Sequence, residues 1–140
     1  MRMMRGVGFW SAGSRTLLLL AGMSLFIVAC GAGIRDVWSG SGEFGEARFY
    51  EIDLNLAEDK PFAMMKWRDG AEVLLAVCAL SEEDGRVSFK MDVEAQATSC
   101  DGMVRPVRFA GEFGRDVLTG QVEDASGAYL GPFRAIRVRR

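Results

Sequence analysis

Residues 107–123 read VRFAGEFGRDVLTGQVE, and two runs of strict alternation meet there. Val107, Phe109, Gly111 and Phe113 fall on one side of an extended chain, with Arg108, Ala110 and Glu112 on the other. After the turn residues Gly114-Arg115-Asp116 the pattern resumes, with Leu118, Gly120 and Val122 set against Thr119, Gln121 and Glu123. Period 2 marks a β-strand, because successive side chains point to opposite faces. Two such runs around a polar turn predict an antiparallel pair with one dry face and one wet face.

The same pattern extends in both directions. Tyr50, Ile52, Leu54 and Leu56 alternate with Glu51, Asp53 and Asn55. Val87, Phe89, Met91 and Val93 alternate with Arg86, Ser88, Lys90, Asp92 and Glu94. Trp38, Gly40, Gly42 and Phe44 share one face of a first strand. Asp69-Gly70, Asp84-Gly85 and Asp101-Gly102 are Asp-Gly pairs and are expected to turn hairpins. Glu58-Asp59-Lys60-Pro61 and Ser126-Gly127 add turns. Pro106 and Pro132 cannot donate to a ladder, so edges or bulges are expected there. Gly131-Pro132 also shifts the parity of the last strand, as a bulge would. The run 71–80, AEVLLAVCAL, is apolar at nearly every position. It reads either as a strand buried on both faces or as a short helix, and periodicity does not choose between them. The fold expected over 37–140 is all-β, an antiparallel up-and-down meander of about eight strands forming a small barrel or sandwich.

The first 29 residues are of another kind. Arg2, Arg5 and Arg15 precede a run at 16–29 whose only polar members are Thr16 and Ser24, and no acidic residue occurs before Asp36. A membrane-spanning helix needs roughly 20 apolar residues; this shorter run has the form of a signal-peptide core. Its tail, Ile27-Val28-Ala29-Cys30-Gly31, resembles the lipobox of bacterial lipoproteins. That resemblance implies cleavage before Cys30, a diacylglyceryl thioether on its sulfur and an acylated new N-terminus. Several acyl chains anchor durably, because each buried CH₂ contributes about 0.8 kcal/mol. In such families Asp after the Cys favours the inner membrane; Gly31 is not Asp, so the outer membrane is expected, with the domain facing the periplasm. Residues 1–29 are then a lipoprotein signal peptide and 30–36 a lipidated tether. The mature chain keeps 14 of the 17 basic residues and all 19 acidic ones, a net charge of −5 (14 − 19). That balance argues against nucleic-acid binding. The closing arginines, Arg134, Arg137, Arg139 and Arg140, read as a solvated final strand, and a run of this kind could also meet anionic headgroups.

Trp38 at the start of the first strand resembles the calycin and lipocalin pattern, in which a Trp plugs the barrel base, although Asp36-Val37 stands where a Gly is usual. Phe109-Ala110-Gly111, Leu118-Thr119-Gly120 and Gly131-Pro132-Phe133-Arg134-Ala135 are similar to the final strands of many small bacterial lipoproteins. The likeness implies a fold and supplies no activity.

Candidate chemistry is sparse. The chain has no histidine, which removes His-based triads and imidazole acid–base work. It has no phosphate-binding glycine loop and no GxSxG elbow. Glu82-Glu83-Asp84 reads as a solvated hairpin tip, and Glu51 with Asp53 as the wet face of a strand. No enzyme activity, metal or cofactor is expected. The expected role is a binding or interaction module with a protein partner in the envelope. The alternatives are an inhibitor of periplasmic enzymes, or a carrier holding a small apolar ligand in the lumen beside Trp38, Tyr50, Phe89 and Phe109.

Two arguments meet at Cys78 and Cys100. An oxidising compartment favours a disulfide between them. A plain meander through 71–100 places them tens of ångströms apart at about 3.3 Å per residue, against a limit of about 7 Å between Cα atoms. A bridge therefore requires another register, a helical 71–80 or a loop folded back across the sheet.

Overall fold

The computed structural model describes residues 33–46 and 48–139. The leader, Cys30 and Arg140 lie outside the described residues. Nine strands follow one another: β1 (Val37–Glu43), β2 (Phe49–Asn55), β3 (Phe62–Trp67), β4 (Glu72–Ala76), β5 (Cys78–Glu83), β6 (Arg86–Met91), β7 (Val107–Phe113), β8 (Val117–Glu123) and β9 (Tyr129–Arg137). They form one antiparallel sheet, ordered β4-β3-β2-β1-β9-β8-β7-β6-β5, curled into a nearly closed barrel. Consecutive strands pair throughout, except that β1 meets β9 and no ladder joins β4 to β5.

That exception resolves the run 71–80. Strand directions alternate around the sheet, so β4 and β5 run the same way, and Val77 alone separates them. The two edges of the sheet are therefore one continuous run of chain. Its first half pairs with β3 and its second with β6, with a bulge between Cys78 and Ser81 where Ala79 takes φ 53°. Counting this run once gives the eight strands expected, so neither a helix nor a single ladder describes it. Leu75, Ala76, Val77 and Cys78 are all buried. Four consecutive buried residues need cover on both sides, and the outer cover is the long β6–β7 connection.

That connection, residues 92–106, folds back across the seam. Ala76 N–H donates to Ala97 O (2.9 Å), and Cys78 is bonded to Cys100 with Cα atoms 5.8 Å apart. A loop folded back across the sheet thus reconciles the disulfide with the meander, and the separation argument against the bridge does not hold. Asp101-Gly102 turns no hairpin; it lies in a 3₁₀ turn, Cys100–Gly102, within this strap. Asp92, expected on a wet strand face, is wholly buried just past the end of β6. Its carboxylate accepts from the backbone N–H groups of Ala95 (3.1 Å), Val104 (2.5 Å) and Arg105 (2.8 Å), pinning both ends of the strap. Burial opposes its ionisation, but the three donors outweigh burial and hold the carboxyl below the usual range.

The other turns follow their chemistry. Asp84 and Gly85 both take positive φ (49° and 76°), the backbone of a two-residue hairpin whose twist suits the flanking strands. At Asp69-Gly70, Ala71 N–H caps the Asp69 carboxylate (2.9 Å). Pro132 lies beyond the end of the β1–β9 ladder, beside a register shift in β8–β9, as its missing donor requires. Gly111 and Gly120 face each other across β7–β8, and a Cβ on either would run into the backbone of the opposite strand.

Inside, Trp38, Leu54, Met65, Leu75, Met91, Phe89, Phe109, Leu118 and Val122 are each at most 1% exposed and belong to one core. Burying a side chain of this size contributes about 1.5–3 kcal/mol. Among the described residues the core runs from Ile34 to Ala135, within the compact unit 33–140. Folded structure begins before β1, because Ile34 is buried and Leu56 N–H donates to Asp36 O (2.9 Å).

Candidate functional site

Trp38 closes the barrel where the chain enters it. Its indole N–H donates to Ile34 O (2.9 Å), and the Arg137 guanidinium lies 4.4 Å from its ring centre. Arg137 also donates to Arg115 O (2.6 Å), Asp36 Oδ2 (3.0 Å) and Gly33 O (2.8 Å). The arginine therefore ties the entering segment to β9 and to the β7–β8 turn. This corrects the reading of the closing arginines as one solvated group. Arg137 is a structural plug, Arg139 pairs with Asp116 (2.8 Å), and Arg134 stands on the outer wall. Nothing in the local sequence separates Arg137 from its neighbours; its parity opposite Trp38 in the β1–β9 register does.

The four residues expected to line a lumen are buried, each with other side chains packed against it. Phe89 and Phe109 stack at 5.1 Å, and Phe133 meets Phe109 edge-on at 5.3 Å. Trp38 packs at the entry end. Tyr50 lies near the other end of β1, edge-on to Trp67 at 5.9 Å. Aromatic rings thus occupy the middle of the barrel.

Outside, one row of register partners runs round the wall through all nine strands: Glu72, Lys66, Glu51, Ser41, Arg134, Thr119, Glu112, Arg86 and Glu83. Opposite charges alternate along most of it, which favours the ladder by tenths of a kcal/mol per pair, about 0.2–1. Glu51 belongs to this belt and stands opposite Lys66 in the β2–β3 register. Among the described residues no group of three or more Cys, Asp or Glu is arranged to hold a metal ion.

The belt dips where β1 carries only serine and glycine. Over Ser41 and Gly42 an open cleft of about 580 Å³ lies on the wall formed by β9, β1, β2 and β3. Lys66, Arg68 and Arg134 lie along it beside Glu43 and Glu51, with Phe49 as its exposed aromatic ring, whereas Tyr50, Trp67 and Phe133 turn their rings to the inner face of the same wall. The Arg68 guanidinium lies over the Phe49 ring at 5.3 Å. Beside the cleft, Arg48 covers Trp67 at 4.3 Å and pairs with Glu94 of the strap (2.9 Å).

Behind this cleft, on the inner face of the wall, Tyr50 shares the buried side of β2 with Ile52 and Leu54. Tyr50 is 2% exposed, yet its hydroxyl is buried without a hydrogen-bond partner. The oxygen lies against Gly42, since a Cβ built there would collide with it and would also approach Pro132 O at 2.6 Å. Gly42 and Pro132 both line the cleft. Burial pushes the hydroxyl well above its ordinary pKa, so it remains a neutral donor. An unpaired buried polar group costs about 1–3 kcal/mol, and such groups are rare. A second depression, about 990 Å³, lies over Gly111 and Gly120 on the β5–β8 wall. It is larger and more polar, and no buried polar side chain there lacks a partner.

The fold and site define a small antiparallel β-barrel with a filled interior and an amphipathic cleft on its outer wall. No family model, no curated protein and no solved structure matches this chain. The functional reading therefore rests on sequence and geometry.

Proposed function

We propose that this protein is a lipoprotein of the bacterial cell envelope, held by acylated Cys30 and facing the periplasm from the outer membrane, whose barrel is a non-enzymatic binding module. The basic leader, the apolar run and the lipobox-like Ile27-Val28-Ala29-Cys30 support the anchor. The observation that carries the binding reading is the pairing of a side-chain-filled barrel with a cleft on the outer wall. The filled interior weighs against carriage of an apolar ligand in the lumen. With Cys30 acylated, at most three residues separate the anchor from buried Ile34, a reach of about 10–15 Å at full extension. The domain would then work at the membrane surface, without a long tether.

The test is fractionation of cells making the full chain or Cys30→Ser. The wild-type protein is expected in the outer-membrane fraction, carrying labelled fatty acid. The variant is expected as soluble protein or unprocessed precursor without label. A Cys30→Ser protein that is processed and still membrane-bound would overturn the anchor.

A further inference from the structure

We infer that the free edge of β4 takes up an extended segment of a partner protein as an added strand, with an apolar side chain set beside Leu74 and a basic one beside Glu72. The inference rests on the binding-module reading and names the kind of partner.

The hydrogen-bond parity of β4 leaves that edge open. Trp67 N–H donates to Ala71 O (2.8 Å) and Val77 N–H to Pro61 O (3.0 Å), so the odd-numbered residues of this run face β3. In an antiparallel ladder the residues between them turn both N–H and C=O the other way. Those residues are Glu72, Leu74 and Ala76. The strap takes Ala76 N–H through Ala97 O (2.9 Å), and no described residue bonds the backbone of Glu72 or Leu74 on that side. Unpaired edge groups are a template for another strand. The side chains beside them lack cover as well. Leu74 is 45% exposed, its register partner Met64 is 37% exposed, and Phe62, next along the outer face of β3, is 39% exposed. A strand laid on this edge sets its residue opposite Leu74 on the same outer face, where an apolar side chain fits. Two positions on it meets Glu72, whose carboxylate makes no ion pair with any described residue, so Lys or Arg fits there. A second copy of this chain fits badly. Antiparallel self-pairing about Leu74 would set each copy's Glu72 opposite the other's Ala76, where Ala97 already stands. A short segment that stops at the strap avoids that collision.

The experiment is fluorescence anisotropy of labelled acetyl-Val-Thr-Lys-Thr-Lys-amide, titrated with the full chain purified in mild detergent and, as a blank, with empty micelles. Laid antiparallel, its valine falls opposite Leu74 and its first lysine opposite Glu72. Saturable one-to-one binding to the protein is expected. N-methylation of the valine removes the N–H that Leu74 O would accept and should weaken binding by about tenfold or more, the value of one hydrogen bond. Replacing both lysines by glutamate should also weaken it, and more at low salt than at high salt. Leu74→Pro loses the free-edge N–H without losing a bond to β3, and an edge strand tolerates proline at such a position. That variant should lose the peptide while keeping the β spectrum of the wild type. Glu112→Gln, on another part of the wall, should bind as wild type does. Absence of saturable binding, or equal affinity for the parent and N-methyl peptides, would overturn the inference. So would a dimer of the chain that Leu74→Pro dissociates while no peptide binds. A normal anchoring result with failed titration sinks this edge alone; a failed anchoring result with successful titration sinks the envelope reading alone.

Discussion

At the Val37 end of β1 the Trp38 indole donates to Ile34, and the Arg137 guanidinium above it makes three hydrogen bonds. Toward the Glu43 end, Tyr50 is buried against Gly42 and Trp67 with its hydroxyl unpaired. Both ends cap the same core with an aromatic residue carrying a polar handle. Burial makes each handle require a partner. The entry end supplies partners from the chain itself, whereas the cleft end leaves the requirement open. A closed polar network holds the fold together; an unmet polar group is a cost that the rest of the core offsets.

The largest expected effect breaks the closed end. Trp38→Ala should cost about 3–5 kcal/mol, the range for deleting a large buried aromatic. It also removes the surface on which Arg137 lies. Denaturant unfolding of residues 33–140 measures this. A loss below about 1 kcal/mol, little more than a typical hydrogen bond, would show that the entry end is not the fold's anchor.

The strap comes next, because it covers the barrel's seam independently of either end. Cys78→Ser with Cys100→Ser should cost about 3 kcal/mol in the chain-entropy account. The strap's second fastening adds an acid limit. Asp92 is held below its usual pKa, so its contribution is complete above the unfolded carboxyl's value, about 3.9, and is lost as pH falls through the lower folded value. Melting temperature should therefore drop between pH 5 and pH 2, and more steeply in wild type than in Asp92→Asn. Equal slopes would show that Asp92 is not the titrating fastening.

How legible these features were in the sequence depended on what each residue's neighbours are. Strands β1, β2, β6, β7 and β8 each have a wet face, so alternation exposes them. In β3, Phe62 and Met64 face outward while Ala63 and Met65 face in, and the apolar wet face hides the period. The seam run was ambiguous because its outer cover comes from residues 92–106, far along the chain. Asp92 followed the alternation of its strand but is turned inward by backbone donors twelve and thirteen residues later. The disulfide argument failed on the same point, since it assumed the chain continued straight after Met91. Tyr50 was legible as an inward aromatic. Its missing partner was not, because that depends on Gly42 and Pro132, brought beside it from two other strands.

The smallest effect in free energy is the most informative about the open end. Tyr50→Phe keeps the ring's edge-on packing against Trp67 and removes only the hydroxyl. At a paired buried tyrosine that change removes a hydrogen bond and costs about 1 kcal/mol. Here there is no protein bond to lose, and the penalty of keeping an O–H dry disappears with it. Stability should be unchanged or rise by up to about 1 kcal/mol. Urea titrations of wild type and Tyr50→Phe, with equal slopes, resolve the sign. A drop of about 1 kcal/mol would mean that the hydroxyl is bonded in solution, to water or to a rearranged neighbour. The two ends would then be finished alike. A neutral or positive change leaves the hydroxyl as a donor kept dry at a cost to the fold, and the two ends of β1 then differ, one polar handle met and the other not.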